Sequence, residues 1–209
     1  MNCDRIATAY FWLEYLVFGN ALERCRNRYL EQMKDFRYAL LLGDGDGRFL
    51  EAFLRINSAA RVDVVELSGK MLDLARQRVG TVPRVRFIQA DARQFPRAEY
   101  DLIVTHFFLD CLTETEIDSL IESVSNRQIR WIVSEFRIAP RGLARLMARA
   151  LVGFMYSCFH LATGLAVKRL PNHRAIFARY GFHLSSECHS LGGLLVAEIW
   201  DSSHHSQSF

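Results

Sequence analysis

An apolar run, Leu40-Leu41-Leu42, leads straight into Gly43-Asp44-Gly45-Asp46-Gly47, and a second strand-like run, Arg61–Leu67, carries an acid, Glu66, near its end. Glycines at the end of a strand allow positive φ and let a backbone approach a ligand closely. An acid about twenty residues further on, where the next strand ends, can accept hydrogen bonds from two ribose hydroxyls. Together these features predict neighbouring parallel strands joined by a helical crossover, with a nucleoside-binding site at their carboxyl ends.

The rest of the chain keeps that rhythm. Residues 6–32 read as an N-terminal helix, with Trp12, Leu13, Leu16 and Val17 at helical spacing. Strands are expected over 37–42, 61–67, 85–90, 100–106 and 130–135, and helices over 49–56, 70–79 and 114–124, the last capped by Thr113. Strands alternating with helices predict a parallel sheet covered on both faces. After Pro140 the pattern changes to a long apolar helical region over 141–167, broken by Pro171, and a further helix over 172–180. Two closing strands, one opening at Gly181-Phe182 and the other over 192–200, predict an antiparallel hairpin on the sheet edge.

Two other readings of the glycine loop fail on spacing. The dinucleotide fingerprint G-x-G-x-x-G would need glycine at Arg48 or Leu50, and a calcium loop would need an acid at Arg48 and a glycine at Phe49. The net charge of +3 is small and the basic residues are scattered, so nucleic acid is not an expected partner. Five cysteines (Cys3, Cys25, Cys111, Cys158, Cys188) stand far apart without a C-x-x-C, which favours free thiols in a reducing compartment. His183, His189, His204 and His205 show no ligand spacing with Cys188, so no metal site is expected. With no basic-then-apolar leader evident, a cytoplasmic location is the expectation.

In these motifs the chain resembles the class I S-adenosylmethionine-dependent methyltransferases, most closely the small-molecule branch that includes quinone and lipid methylases. The likeness covers about residues 6–135 and, less closely, the closing strands. It implies a doubly wound, mostly parallel, seven-stranded Rossmann-like α/β sheet with an antiparallel edge hairpin and an N-terminal lid helix. It also implies that Gly43, Asp44, Gly45, Asp46 and Gly47 wrap the methionine part of S-adenosylmethionine and that Glu66 binds its ribose. Leu67 and Met71 would pack on the adenine, and Asp91, followed by Ala92, would contact the adenine amino group. Thr105 and His106 would close the cofactor site where the fourth strand leads out over the reacting methyl, and Tyr10–Leu16 would form the lid. One position departs from the family: Leu41 stands where an acid usually precedes the first glycine, so Asp44 or Asp46 would have to take over its polar role.

The resemblance implies methyl transfer by direct displacement, leaving S-adenosylhomocysteine, in which the protein aligns the acceptor and excludes water. A hydroxyl acceptor would need a base, and His106 and Asp110 are the catalytic candidates. Tyr10, Phe107, Tyr156 and His160 are candidate substrate contacts, and the aromatics of 141–167 would roof a small hydrophobic or aromatic acceptor. Ala150–Val167 holds eighteen residues without a formal charge, and Arg141, Arg145 and Arg149 form a basic stripe beside it, so peripheral contact with a membrane is a further expectation. A single domain over 1–209 is expected: a helical lid (1–35), a cofactor core (36–135), a substrate cap (136–180) and closing strands (181–201). The alternative is a catalytically silent scaffold of the same fold, motivated by Leu41.

Overall fold

The computed structural model describes residues 18–93, 100–123, 128–137 and 170–202. Seven strands form one sheet: β1 (Tyr38–Leu42), β2 (Arg61–Glu66), β3 (Val85–Gln89), β4 (Leu102–His106), β5 (Arg130–Phe136), β6 (Phe182–Ser190) and β7 (Leu195–Ser202). Their order is β3-β2-β1-β4-β5-β7-β6, and the first five are parallel. β7 inserts antiparallel beside β5 and pairs with β6, which forms the expected edge hairpin. Five helices accompany the sheet among the described residues: α1 (Ala21–Arg26), α2 (Arg48–Ile56), α3 (Gly69–Val79), α4 (Glu114–Glu122) and α5 (His173–Arg179).

Successive residues of the central strands go to opposite faces, and each face has its own core. Ala39, Leu41, Val62, Val64, Leu102 and Val104 pack with Phe49, Phe53 and the α1 residues Leu22 and Cys25. Leu40, Leu42, Val65, Ile103, Trp131 and Val133 pack instead with α4 and α5, through Ile117, Ile121 and Phe177. Near-continuous apolar strands such as Tyr-Ala-Leu-Leu-Leu therefore form here because both of their faces are buried. On the second face Phe177 lies 5.0 Å from Trp131 and 4.9 Å from Trp200, ring centre to ring centre.

Thr113 caps α4 as expected, in a reciprocal capping box with Glu116. Three boundaries differ from expectation. The helix expected over 6–32 turns at Gly19 (φ +54°) among its described residues, so only α1 and a 3-10 turn at Leu30–Met33 follow. The fourth strand starts at Leu102 rather than residue 100, because the Asp101 carboxylate accepts the backbone N–H groups of Arg37 and Tyr38 at 2.9 Å and so ties the starts of β1 and β4 together. The last strand starts at Leu195, since Gly192 and Gly193 adopt positive φ in a tight turn. No helix among the described residues is long and apolar enough to cross a membrane. The lid over 1–17, the apolar stretch over 150–167 and the stripe Arg141, Arg145 and Arg149 lie outside the described residues.

Candidate active site

The carboxyl ends of β1, β2, β3 and β4 open into one cavity. Gly43, Asp44, Gly45, Asp46, Glu66, Leu67, Met71, Asp91, Ala92, His106 and Phe107, all singled out from sequence, line it together. Such a crevice beyond the strand ends is where open α/β sheets bind ligands.

The three loop glycines have positive φ for different reasons. Gly45 (φ +67°) has nothing within 4 Å of a Cβ position, so it is open to a ligand. A Cβ at Gly43 would stand 2.5 Å from the Phe108 ring. Gly47 (φ +80°) does not line the cavity; it precedes α2, and a Cβ there would meet Ala75 of α3 at 2.8 Å. Its lack of a Cβ allows α2 and α3 to pack closely.

Four acids face the cavity in two different states. Glu66 accepts the Ser68 N–H at 2.9 Å, and burial raises its pKa against the hydrogen bonds that favour its ionised form. Burial also raises Asp44, to about 7, although the Leu50 N–H donates to it. Asp46 is tied up in the scaffold, accepting from Arg48 at 2.9 Å and Arg78 at 3.1 Å. Asp91 is clasped by Arg93, whose hydrogen bonds hold its pKa below the usual carboxylate value. Leu41 is 1 % exposed in the core of the first face, whereas Asp44 lines the cavity.

Past β4 the site is built by β5. His106 is buried, with Nδ1 2.9 Å from Ser134 Oγ, while Ser134 Oγ donates to the Cys25 carbonyl at 3.3 Å. The Phe49 ring meets the imidazole edge-on at 4.4 Å. Burial, with Arg26 nearby, pushes the His106 pKa well below its ordinary value, so the ring is neutral. Phe107 takes an uncommon positive φ of +54°, donating its N–H to the Ser134 carbonyl at 2.7 Å. Glu135 Oε1 then accepts the N–H groups of Phe108 (3.2 Å) and Leu109 (2.8 Å). Burial and the neighbouring Asp110 raise Glu135 well above the ordinary carboxyl value.

Two further sequence candidates do not line the cavity. Thr105 is fully buried and accepts the Trp131 indole N–H at 3.0 Å, because its side chain faces the second core. Asp110 lies behind the cavity in a 3-10 turn, 3.4 Å from Cys111 Sγ, and burial raises its pKa to about 6. Tyr10, Tyr156 and His160 lie outside the described residues. The sequence reading missed Arg26, which lines the cavity with its guanidinium 5.3 Å from the centre of the Phe107 ring. It also missed Ser134 and Glu135, although two polar residues in Trp-Ile-Val-Ser-Glu-Phe are the visible signal.

Comparison with known proteins agrees with this architecture. Residues 39–127 match the family model described as a methyltransferase domain. The malonyl-[acyl-carrier protein] O-methyltransferase of Halalkalibacterium halodurans is 38% identical over 91 residues, 39% of this chain and 34% of that protein. Polyamine aminopropyltransferase 2 of Bacillus anthracis is 32% identical over 90 residues, 37% of this chain and 25% of its own length. The chain thus spans about a third or less of these curated relatives. Among solved structures, the N-methyltransferase NodS of Bradyrhizobium japonicum WM9 in complex with S-adenosyl-L-homocysteine superposes with a TM-score of 0.65, at 17% identity over 91% of this chain and 92% of that one. Magnesium protoporphyrin IX methyltransferase of Synechocystis PCC 6803 gives a TM-score of 0.65, at 15% identity over 96% and 97%. These structures share the fold.

Proposed function

We propose that the chain is a class I, S-adenosylmethionine-dependent methyltransferase that transfers a methyl group to a small hydrophobic or aromatic acceptor, a reading supported by the methyltransferase-domain match over residues 39–127. The observation that carries the reading is the convergence of Asp44, Gly45, Glu66, Met71 and His106 on one cavity at the strand ends. The residues present suit the cofactor. Glu66 offers a carboxylate for two ribose hydroxyls, Leu67 and Met71 offer apolar surface for an adenine, and Gly45 leaves room for close backbone approach. Asp44, a desolvated acid on the loop, takes the methionine ammonium in place of the acid missing at Leu41. Asp91 reaches the adenine amino group from its ion pair with Arg93.

The bound cofactor supplies an already activated methyl group, so no covalent catalyst is required of the protein. This chain's residues hold and orient. Phe107 and Phe108 wall the acceptor end, and His106 presents a neutral imidazole there. The two curated relatives are named for transfers of different groups, yet both match over about the same length of chain.

Titration calorimetry with S-adenosylmethionine and S-adenosylhomocysteine tests the reading. Saturable binding of both at micromolar ligand, lost in Glu66→Ala, is expected. No binding at millimolar ligand would overturn the chamber and leave a silent scaffold of this fold.

A further inference from the structure

A strand buried on both faces is apolar at nearly every position, as β1 is over residues 39–42. β2 and β3 depart from this at their amino ends. Arg61 and Asp63 alternate with Val62 and Val64, and Asp63 pairs in register with Arg86 of β3. By the two-residue period of a strand, Arg61 and Asp63 share the face that carries Val65 further along. Tyr38, Arg61, Asp63, Arg84, Arg86 and Tyr100 line a cavity there of about 480 Å³, a volume that suits a small molecule. It lies where β1 and β2 begin, at the opposite end of the sheet from the glycine loop. It shares no lining residue with the cavity at the carboxyl ends.

The charges in this second cavity do not balance. The Asp63 carboxylate is taken up by Arg86, whose Nε donates at 2.9 Å, and by the Tyr100 hydroxyl at 2.6 Å. Arg84 donates to the carbonyls of Ala60 (3.0 Å) and Leu54 (3.4 Å), which fix its guanidinium without neutralising it. Burial lowers its pKa, and no nearby acid opposes that shift. Arg61 has no ion pair or side-chain hydrogen bond among the described residues. The Val62 N–H donates to the Arg84 carbonyl at 2.9 Å, so Arg61 and Arg84 stand at the starts of neighbouring strands. Three lining arginines against one lining acid leave two positive charges. Tyr38, which pairs in register with Arg61, is 46% exposed.

We propose that this cavity is a phosphate site, in which Arg61 and Arg84 hold the anion and Tyr38 offers its ring to an aromatic group esterified to it. A guanidinium presents paired N–H donors that match two oxygens of a phosphate. A phosphomonoester carries about two negative charges at neutral pH, which matches the unbalanced charge of the cavity. The site stands apart from the methyl-transfer reading and does not depend on it.

Amide NMR of nitrogen-labelled protein, titrated with phenyl phosphate and with inorganic phosphate at constant ionic strength, tests this. Saturable shifts at millimolar ligand are expected at residues 38, 61–63 and 84–86. Arg61→Gln, at an exposed side chain, should weaken binding about 10-fold. Arg61→Lys should weaken it less, because it keeps the charge and loses only the fork. Arg179→Gln, which removes an exposed arginine of α5, should bind as wild type does. Tighter binding of phenyl phosphate, lost in Tyr38→Ala, assigns the site to an ester, and equal binding of the two assigns it to free phosphate. Shifts that do not saturate, shifts confined to the glycine loop, or equal affinity in Arg61→Gln and Arg179→Gln overturn the proposal. Wild type that fails to bind S-adenosylhomocysteine would refute the methyl-transfer chamber and leave this result standing.

Discussion

The two halves of the site are built on opposite plans. Where β1 and β2 end, polar residues line the cavity: Gly45 has open space beside it, and Glu66 and Asp44 are among its walls. Where β4 and β5 end, they point inward: Ser134 holds His106, and Glu135 holds the amides of Phe108 and Leu109. The first half is made to be completed by a ligand. The second is completed by the protein itself, and so can hold a strained residue such as Phe107 in place before anything binds.

The largest expected effect breaks the self-completed half. Glu135→Ala strips the acceptor from two backbone N–H groups and should cost about 3 kcal/mol of stability in denaturant unfolding. Glu135→Gln keeps an oxygen in the same place and should stay within about 1 kcal/mol of wild type, because burial already disfavours the ionised form there. Equal losses in both variants would show that charge, not the acceptor oxygen, matters there.

Next comes the ligand half. Glu66→Ala should weaken S-adenosylhomocysteine binding about 100-fold in calorimetry, and because Glu66 also accepts the Ser68 N–H the unfolding midpoint should fall too, though less than in Glu135→Ala. A large fall in stability with unchanged affinity would reverse the roles of the two halves.

The glycine loop offers a finer comparison. Gly47→Ala forces a Cβ against Ala75 at a positive φ and should destabilise the fold by about 2 kcal/mol. Gly45→Ala meets no neighbour and should cost about 1 kcal/mol from its backbone angle alone. Thermal unfolding of the pair checks this ordering.

A further comparison concerns pH. Asp44 keeps its proton to about 7 in the folded chain against 3.8 unfolded, so between those values the folded chain binds more protons. Its contribution to stability is therefore complete at acid pH and is lost as pH rises to about 7, a fall that Asp44→Asn should abolish in paired unfolding curves. Binding should run the opposite way, strengthening between about pH 6 and 8 as the carboxylate ionises toward the ligand's ammonium. Affinity that does not change with pH would remove Asp44 from that role.

The same contrast explains what was legible in the sequence. The ligand half is written locally: glycines at fixed spacing and an acid at a strand end announce themselves within a few residues. The packing of Gly47 was not legible there, because the residue that a Cβ would meet, Ala75, lies on another helix. The alternation of strands with helices and the edge hairpin were readable because periodicity and turn residues dictate them. The self-completed half joins Cys25, His106 and Ser134, separated by 81 and 28 residues, and local spacing carries no trace of such a network. Thr105 and Asp110 failed to line the cavity for a related reason. Side-chain direction alternates along β4 and changes again in the turn after it, so adjacency to His106 in sequence was not adjacency in the site.

Hydrogen–deuterium exchange with and without S-adenosylhomocysteine tests the division most directly. The account predicts that ligand slows exchange over 43–50 and 66–72, while the amides of Phe108 and Leu109 are already protected in the free protein by Glu135. Free exchange at 108–109 without ligand, or no ligand-dependent protection over 43–50 and 66–72, would contradict it.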